Sequence, residues 1–336
     1  MSSLKITCLG KVKYNKIVIW GYPLYSHTHS YVHYGYHQAF KSLGYDTYWF
    51  HDDEYPEDFD FSNTLFIGEG FADKNLPIND SSAYFIMYCP SPIKYQEAER
   101  YIDVRTVGVG IKDHIYDYSL DKEKATKVGP GCYFEAKTGD KVQVLNNYHD
   151  YEMDSYDKLY ISWATNLLPD EIDFGDITQP RKNVVHYCGT ISASGVCENY
   201  STVIPFAEEC QKHNIQFIHN DPWQNPLPFE EVIRRIQESA LAPDIRGPEH
   251  LRTRVVTCRV FKNISYGHLG MTNSEQIYQE MDGNCIYNPD PAELFHEGMA
   301  NRENYDMIRK GMQYVKENHT YINRCTSVLK IFEEGE

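Results

Sequence analysis

The feature that most constrains the fold is a succession of short apolar segments separated by stretches of helical length. Residues 16–20 (KIVIW), 64–67 (TLFI) and 84–88 (YFIMY) are nearly continuously apolar, as expected of strands that are covered on both faces. Residues 31–43 have helical length and end at Gly44, a suitable helix C-cap. Strands that alternate with helices predict parallel βαβ units and an α/β fold.

The second half of the chain repeats this alternation more regularly. Residues 184–188 (VVHYC) and 215–219 (IQFIH) are predicted strands, residues 200–213 a predicted helix, and residues 304–332 a continuous helical tail. Between the halves, residues 166–183 carry two prolines, one glycine and four acids. That composition is typical of a linker, so we predict two domains.

The overall charge and the cysteine pattern exclude several classes of protein. A net charge of −16 opposes general binding to nucleic acid or to anionic membranes. Nine scattered cysteines without a CxxC motif are typical of free thiols in a reducing compartment. The N-terminal residues lack the apolar stretch of a signal peptide, and no run of about 18 apolar residues occurs. We therefore expect a cytoplasmic protein without a membrane span.

A local excess of positive charge lies between residues 246 and 262. Five cations minus one acid, Glu249, give a local charge of +4 in an acidic chain. The five are Arg246, Arg252, Arg254, Arg259 and Lys262. Guanidinium groups bind phosphate oxygens bidentately, so the cluster predicts a diphosphate site. A solvated surface, or arginines that pair the surplus acids, would give the same composition.

Two further features favour the phosphate interpretation. Gly189 and Thr190 directly follow a predicted strand, where a small residue lets backbone amides approach a phosphate. Ligands of open α/β sheets bind outside the carboxyl ends of strands, where these two residues and Arg246 fall. The next strand-to-helix junction offers groups suited to ribose or sugar hydroxyls: Thr272, Asn273, Ser274 and Glu275.

These patterns give the second half a resemblance to the donor domain of GT-B glycosyltransferases. The opening at Gly189-Thr190 resembles the strand-to-glycine start of that domain, and RVFKNISYGHLGMTNSEQ resembles its donor-binding signature. The segment ISWATNLLPDEI resembles the interdomain connection. The resemblance implies an α/β protein of two Rossmann-like parallel-sheet domains, 1–168 and 180–310, that face a cleft. It also implies that the tail, residues 311–336, crosses back to the first domain.

The resemblance also implies a reaction. The partners would be a nucleoside-diphosphate sugar as donor and a glycan or other hydroxyl compound as acceptor, with no metal cofactor. Six residues would contact the donor: Arg259, Lys262, Ser265, Asn273, Ser274 and Glu275. Retaining members carry two glutamates at a wider spacing than Glu275 and Glu280 show here, so an inverting enzyme is expected.

The first half would supply the catalytic base. His27 and His29 lie in the loop after the strand 16–20, and a histidine that titrates near neutral pH could deprotonate an acceptor hydroxyl. Glu69, at the end of the strand that begins at residue 64, is another candidate. His33 and His37 lie one helical turn apart, but such a pair without a third ligand is usually structural.

Three alternatives remain open. The Asp58-Phe59-Asp60 sequence is formally the DxD motif by which GT-A enzymes bind Mn²⁺. A GT-B-like nucleotide-sugar epimerase would bind the same donor but would need no acceptor. A non-catalytic sugar- or nucleotide-binding protein would account for the 28 tyrosines. The glycine motif of dehydrogenases and the GxSxG motif of hydrolases are both missing from the sequence.

Overall fold

The computed structural model describes residues 13–14, 16–112, 119–144, 150–175, 177–195 and 198–333. The strands of the first half are β1 (Lys16–Trp20), β2 (Asp46–Phe50), β3 (Thr64–Glu69), β4 (Ala83–Met87), β5 (Arg100–Arg105), β6 (Thr126–Gly129), β7 (Cys132–Glu135), β8 (Lys141–Val144), β9 (Tyr151–Asp154) and β10 (Asp157–Ile161). Those of the second half are β11 (Val184–Cys188), β12 (Gln216–Asn220), β13 (Met271–Thr272) and β14 (Ile286–Tyr287). The helices are α1 (Ser30–Ser42), α2 (Tyr200–Lys212), α3 (Phe229–Glu238), α4 (Pro248–Thr253), α5 (Arg259–Ser265), α6 (Glu275–Glu280), α7 (Pro291–Asn301), α8 (Tyr305–Asn318) and α9 (Tyr321–Glu333).

An eight-stranded, mostly parallel sheet is built from the first half, in the order β2-β1-β3-β4-β5-β10-β7-β6. The strands from β2 to β10 pair in parallel, and β7 pairs antiparallel with both β10 and β6. Strands β3 and β4 are buried along their whole length. The α/β prediction is confirmed, and the double-sided burial explains why these strands are continuous apolar runs.

The second half forms a smaller parallel arrangement. Strand β11 pairs with β12, and β13 pairs with β14, in both cases in parallel. The extended segment 240–244 lies between these pairs. The amide of Ala240 donates to the carbonyl of Val184 at 2.7 Å, and that of Asp244 donates to the carbonyl of Met271 at 2.9 Å. The carboxyl ends of β11 and of this segment therefore lie side by side.

The tail contains two helices instead of the single helix expected from residue 304 to 332. The helical hydrogen bonding stops at His319, whose backbone carbonyl accepts from the amide of Thr165. Residue 311, the expected start of the tail, lies inside α8, whose Met312 and Val315 belong to the core of the second half. The packing changes to the first half only with α9.

Helix α9 packs on the large sheet beside α1. Tyr321 at the start of α9 meets Tyr36 of α1 edge to face, with ring centroids 5.0 Å apart. Gly35 allows this approach, because a Cβ there would lie 2.2 Å from the ring of Tyr321. Arg324 is buried one turn further on, and its Nε donates to the backbone carbonyl of Ser162, just after β10.

Replacing Gly35 by alanine tests this packing. Alanine favours a helix over glycine by about 1 kcal/mol, but overpacking a buried contact costs about 1–3 kcal/mol. Because the clash with Tyr321 is severe, we expect the free energy of unfolding to fall by about 1–2 kcal/mol in urea denaturation. Ser42→Ala, at the exposed end of the same helix, should cost little. A Gly35→Ala protein more stable than the wild type would contradict the position of α9.

Candidate functional site

A cavity of about 460 Å³ lies between side chains of the two halves of the chain. That volume is within the range of small-molecule sites, about 300–1,000 Å³. Its first wall includes His29 and Glu69 from the first half, and its second wall includes Gly189, Arg259 and Lys262 from the second half. The cavity therefore brings together residues that the sequence assigned to catalysis and residues that it assigned to donor binding.

On the first wall, a buried carboxylate lies between two imidazole rings. Oε1 of Glu69, at the carboxyl end of β3, is 2.8 Å from Nδ1 of His29, and its Oε2 is 3.6 Å from Nε2 of His33. Glu69 is only 1% exposed, whereas the side chain of His29 retains 23% exposure. We refer to His29 and Glu69 as the His–Glu pair. A carboxylate that accepts from Nδ1 fixes the tautomer in which Nε2 is the basic nitrogen.

The electrostatics of the pair favour histidine over glutamate as a base. Burial acts to raise the pKa of Glu69, but the hydrogen bond from His29 and the nearby imidazoles act against it, and the resulting pKa is below the ordinary value. Glu69 is then an anion at neutral pH and a weak base. Burial lowers the pKa of His33 to about 4, so this ring is neutral at pH 7.

The loop that presents His29 is fixed by its neighbours. Gly21 follows β1, and a Cβ there would lie 2.2 Å from the ring of His33. His27 lies outside the cavity lining: its ring stacks on Tyr22 at 3.9 Å, and its Nδ1 accepts from the backbone amide of His29 at 3.0 Å. Burial, followed by the influence of His29, lowers the pKa of His27. The geometry therefore gives His27 a supporting position beside His29.

The second wall is built where β11 ends. Gly189 and Thr190 line the cavity, and Asn199 holds this loop by donating to the carbonyl of Thr190 at 3.0 Å. The guanidinium of Arg259 occupies the space over the glycine, since a Cβ at Gly189 would lie 1.9 Å from Arg259 Nη2. Arg259 also donates to the hydroxyl of Tyr187 at 2.6 Å. Gly189 and Arg259, two residues of the predicted donor site, therefore lie in contact.

Lys262 lies one helical turn beyond Arg259 on α5 and also lines the cavity. Its Nζ lies 5.1 Å from the ring centroid of Tyr31. No ion pair of Lys262 occurs within the part of the chain that the structure describes. We refer to Arg259 and Lys262 as the cation pair. Nη1 of Arg259 also lies 3.9 Å from Oδ1 of buried Asp244. Both side chains line the cavity, where the phosphates of a ligand would meet them.

Two other cations of the cluster are balanced locally. Arg246 lines the cavity, but its Nε and Nη2 donate to both carboxylate oxygens of buried Asp244. Arg252 lies outside the cavity lining, is half exposed, and makes a bidentate ion pair with Glu249. Over residues 244–262, five cations minus two acids leave +3 instead of the +4 counted without Asp244. This reduces the site's local excess charge.

Two residues that were expected to contact the donor, Ser265 and Asn273, make hydrogen bonds within the protein. Ser265 is buried, with its hydroxyl 2.7 Å from that of Thr165. Asn273 is buried and makes two hydrogen bonds to the backbone of Arg246, accepting from its amide at 2.7 Å and donating to its carbonyl at 3.0 Å. Neither lines the cavity. Asn273 thus acts on the site only through the position of Arg246.

The next two expected donor residues also lie outside the cavity lining. Ser274 caps α6, its hydroxyl accepting from the amide of Ile277 at 3.5 Å. Glu275 is exposed at the first turn of that helix and accepts from Gln279 at 3.3 Å. An N-cap serine followed by an acid in the first turn is a common helix start, and this explains the polar junction without a ligand.

Aromatic residues that the sequence did not single out complete the cavity. Tyr88 stacks on His29 with centroids 5.6 Å apart, and Trp163 meets the same ring edge to face at 5.2 Å. Phe71 and Trp223 also line the cavity. Both follow the carboxyl ends of strands within three residues, β3 for Phe71 and β12 for Trp223. That position is the signal that could have identified them.

The residues of the two possible metal-binding patterns lie apart from each other in the structure. Asp60 of the DxD sequence lies in an exposed loop, where it accepts from Lys16 and from Ser62, and is not part of the cavity lining. His33 contacts Glu69, and His37 lies beside Trp49. Within the described ranges, no three histidine, cysteine or acidic side chains converge on a possible metal position. Metal independence stays a prediction.

Comparisons with known proteins do not supply a relative. No protein-family model matches the chain, and no curated protein matches it significantly. Among the residues that the structure describes, no helix is both long enough and apolar enough to cross a bilayer. The resemblance to GT-B glycosyltransferases therefore stays a prediction based on the residues and their geometry.

The pH dependence of stability tests the buried carboxylate. Because the pKa of Glu69 is lowered on folding, its contribution is complete above the unfolded pKa of about 4.5 and is lost as the pH falls through the folded value. Glu69→Gln should therefore cost about 1.5–3 kcal/mol of unfolding free energy at pH 7 and progressively less below pH 4.5. Urea denaturation across this range measures the difference.

Glu54→Gln is the matched control, because Glu54 also lies beside a histidine but its side chain is 88% exposed. This variant should change stability little at either pH. A cost of Glu69→Gln that is the same at pH 7 and at pH 3.5 would contradict an ionised, histidine-bound Glu69.

Proposed function

We propose that the protein is a GT-B-type glycosyltransferase that transfers a sugar from a nucleoside-diphosphate sugar to a hydroxyl acceptor, with inversion and without a metal ion. One observation carries the proposal: a single cavity has the His–Glu pair on one wall and the cation pair beside Gly189 on the other. The first arrangement suits proton abstraction, and the second suits a diphosphate leaving group.

The diphosphate would bind at the carboxyl end of β11. The amide of Gly189 donates to the carbonyl of Asn220 at 3.1 Å, so the role of the glycine would be to give a phosphate room beside Thr190. Arg259 and Lys262 supply two positive charges from consecutive turns of α5. As the bond between the anomeric carbon and the phosphate oxygen breaks, negative charge grows on the leaving diphosphate. Fixed cations at that position stabilise the transition state.

The acceptor would be activated on the opposite wall. Its hydroxyl oxygen attacks the anomeric carbon while its proton passes to Nε2 of His29, and the nucleoside diphosphate leaves. Glu69 bonds Nδ1 and stabilises the imidazolium that forms. His29 then returns the proton to solvent. Attack from the face opposite the leaving group inverts the anomeric carbon.

A binding screen tests the donor site first. Thermal unfolding would be followed with UDP, GDP, dTDP and CMP, each in EDTA and in Mn²⁺. We expect one nucleoside diphosphate to stabilise the protein in EDTA, by about 2.7 kcal/mol at a hundredfold excess over Kd. Arg259→Ala and Lys262→Ala should each weaken its Kd by about 10- to 100-fold, as the loss of a charged hydrogen bond would.

Arg302→Ala is the control, because Arg302 is a partly exposed cation that does not line the cavity. Its nucleotide affinity should equal that of the wild type. Stabilisation that requires Mn²⁺ would support a metal-dependent site instead. Binding by none of the nucleotides would contradict the donor site and leave a non-catalytic binding protein. A donor sugar isomerised without any acceptor would identify an epimerase.

The base is tested by its effect on turnover. His29→Ala should lower kcat for transfer by about 10²–10⁴-fold, the usual contribution of general-base catalysis, and should leave nucleotide Kd unchanged. His27→Ala should have a much smaller effect, because His27 lies outside the cavity lining. Initial rates of nucleoside-diphosphate release, with calorimetric Kd values, provide both readouts. Equal losses in the two variants would contradict the assignment of His29.

A further inference from the structure

Two large aromatic side chains of the cavity are strongly exposed to solvent. Trp223 is 54% exposed and Phe71 is 47% exposed, although both line the cavity. Phe71 comes from the first half, two residues beyond Glu69, and Trp223 from the second half. Large aromatic rings that line a cavity and remain open to solvent are typical contact sites for a ligand.

Trp223 belongs to the acceptor side although it is carried by the second half. Its ring meets that of His27 at right angles, with centroids 4.6 Å apart, and the ring of His27 lies 4.9 Å from that of His29. The indole is therefore only one ring removed from the proposed base. The cation pair, in contrast, contacts Tyr187 and Tyr31.

The loop that carries Trp223 is held at its base. The backbone amide of Trp223 donates to Oδ1 of Asp221 at 3.0 Å, and the amide of Asn225 donates to the carbonyl of Asp221 at 2.9 Å. Asn220 donates from its side chain to the carbonyl of Asn225 at 3.1 Å. These bonds fix the turn while the indole remains open to solvent, so its face is preorganised for a ligand.

Glu69 places a carboxylate on this side of the cavity, 2.8 Å from Nδ1 of His29. Burial, and then the charges of Glu69, Asp52 and Asp73, raise the pKa of Tyr22 to about 12, and Tyr22 stacks directly on His27. An anionic ligand would be repelled here. A ligand that stacks on aromatic rings, presents a hydroxyl to a base and carries no charge fits this environment.

We infer that Trp223 and Phe71 form an acceptor subsite for an uncharged saccharide. One apolar face of a pyranose ring would stack on the exposed aromatic side chains, and a hydroxyl at its edge would reach His29. The inference rests on the proposed function, since it names the acceptor class of the same cavity. It also assigns a residue of the donor half to acceptor recognition.

Saturation-transfer NMR tests the subsite directly. The probes are methyl glycosides of glucose, galactose, mannose, fucose, rhamnose and xylose, with methyl glucuronide as the anionic counterpart, each with and without the nucleoside diphosphate. At least one neutral glycoside should bind, and more tightly than the glucuronide. Trp223→Ala and Phe71→Ala should each weaken that binding by about tenfold, the value of one aromatic contact.

Two further variants make the result specific. Trp223→Phe keeps an aromatic face and should restore most of the affinity. Tyr200→Ala is the matched control, since Tyr200 is an aromatic residue outside the cavity lining whose exposure, 53%, is close to that of Trp223. It should bind the glycoside like the wild type.

The outcomes separate this inference from the proposed function. Loss of nucleotide affinity in Trp223→Ala would show that the indole stacks on the nucleobase and would overturn the inference. Absence of glycoside binding, or binding unaffected by either aromatic variant, would overturn it as well. Glycoside binding that depends on Trp223, in a protein that neither binds nor turns over nucleotides, would sustain the subsite and reject glycosyl transfer.

Discussion

The arrangement of the molecule depends on one buried guanidinium, that of Arg324. A buried charge is costly unless its donors are filled. Here Nε donates to the carbonyl of Ser162, Nη1 to the carbonyls of Pro130 and Asn318, and Nη2 to the carbonyl of Trp163 and to Nδ1 of His319. The guanidinium thereby ties α9 to the end of β10, at the point where the chain passes from the first half to the second.

The segment in which the chain passes from the first half to the second also connects the two walls of the cavity. Trp163 lines the cavity, and its amide donates to the carbonyl of Val256 in the second half at 3.2 Å. Two residues further on, the hydroxyl of Thr165 meets that of Ser265. The contacts between the halves therefore include a residue that lines the cavity, Trp163, and Ser265 takes part in them. This position explains why a serine on the helix of the cation pair faces away from the cavity.

The sequence predicted features that follow from local rules, and it missed those that depend on long-range contacts. The strands were visible because burial on both faces requires continuous apolar runs. Gly189 and Arg246 were singled out because they follow predicted strands, whose ends concentrate ligand sites, and Arg259 was singled out by the local excess of positive charge. The contact between His29 and Glu69 joins the loop after β1 to the end of β3. The spacing of these residues along the sequence gives no sign of this contact. Asn273 and Ser274 are residue types that often bind sugars, but here their side chains accept hydrogen bonds from backbone amides of the protein.

The electrostatic contrast between the walls gives the proposed reaction a direction. Asp244 binds Arg246 through both carboxylate oxygens and lies 3.9 Å from Arg259, and the cation pair provides the positive side of the cavity. The carboxylate of Glu69 provides the negative side. An anionic donor would be attracted to the second wall, which carries the cation pair, and repelled by the first, so the two proposed substrates would be sorted by charge before either makes a specific contact. During transfer, negative charge moves from the acceptor oxygen towards the leaving diphosphate, which is the direction that this fixed field favours.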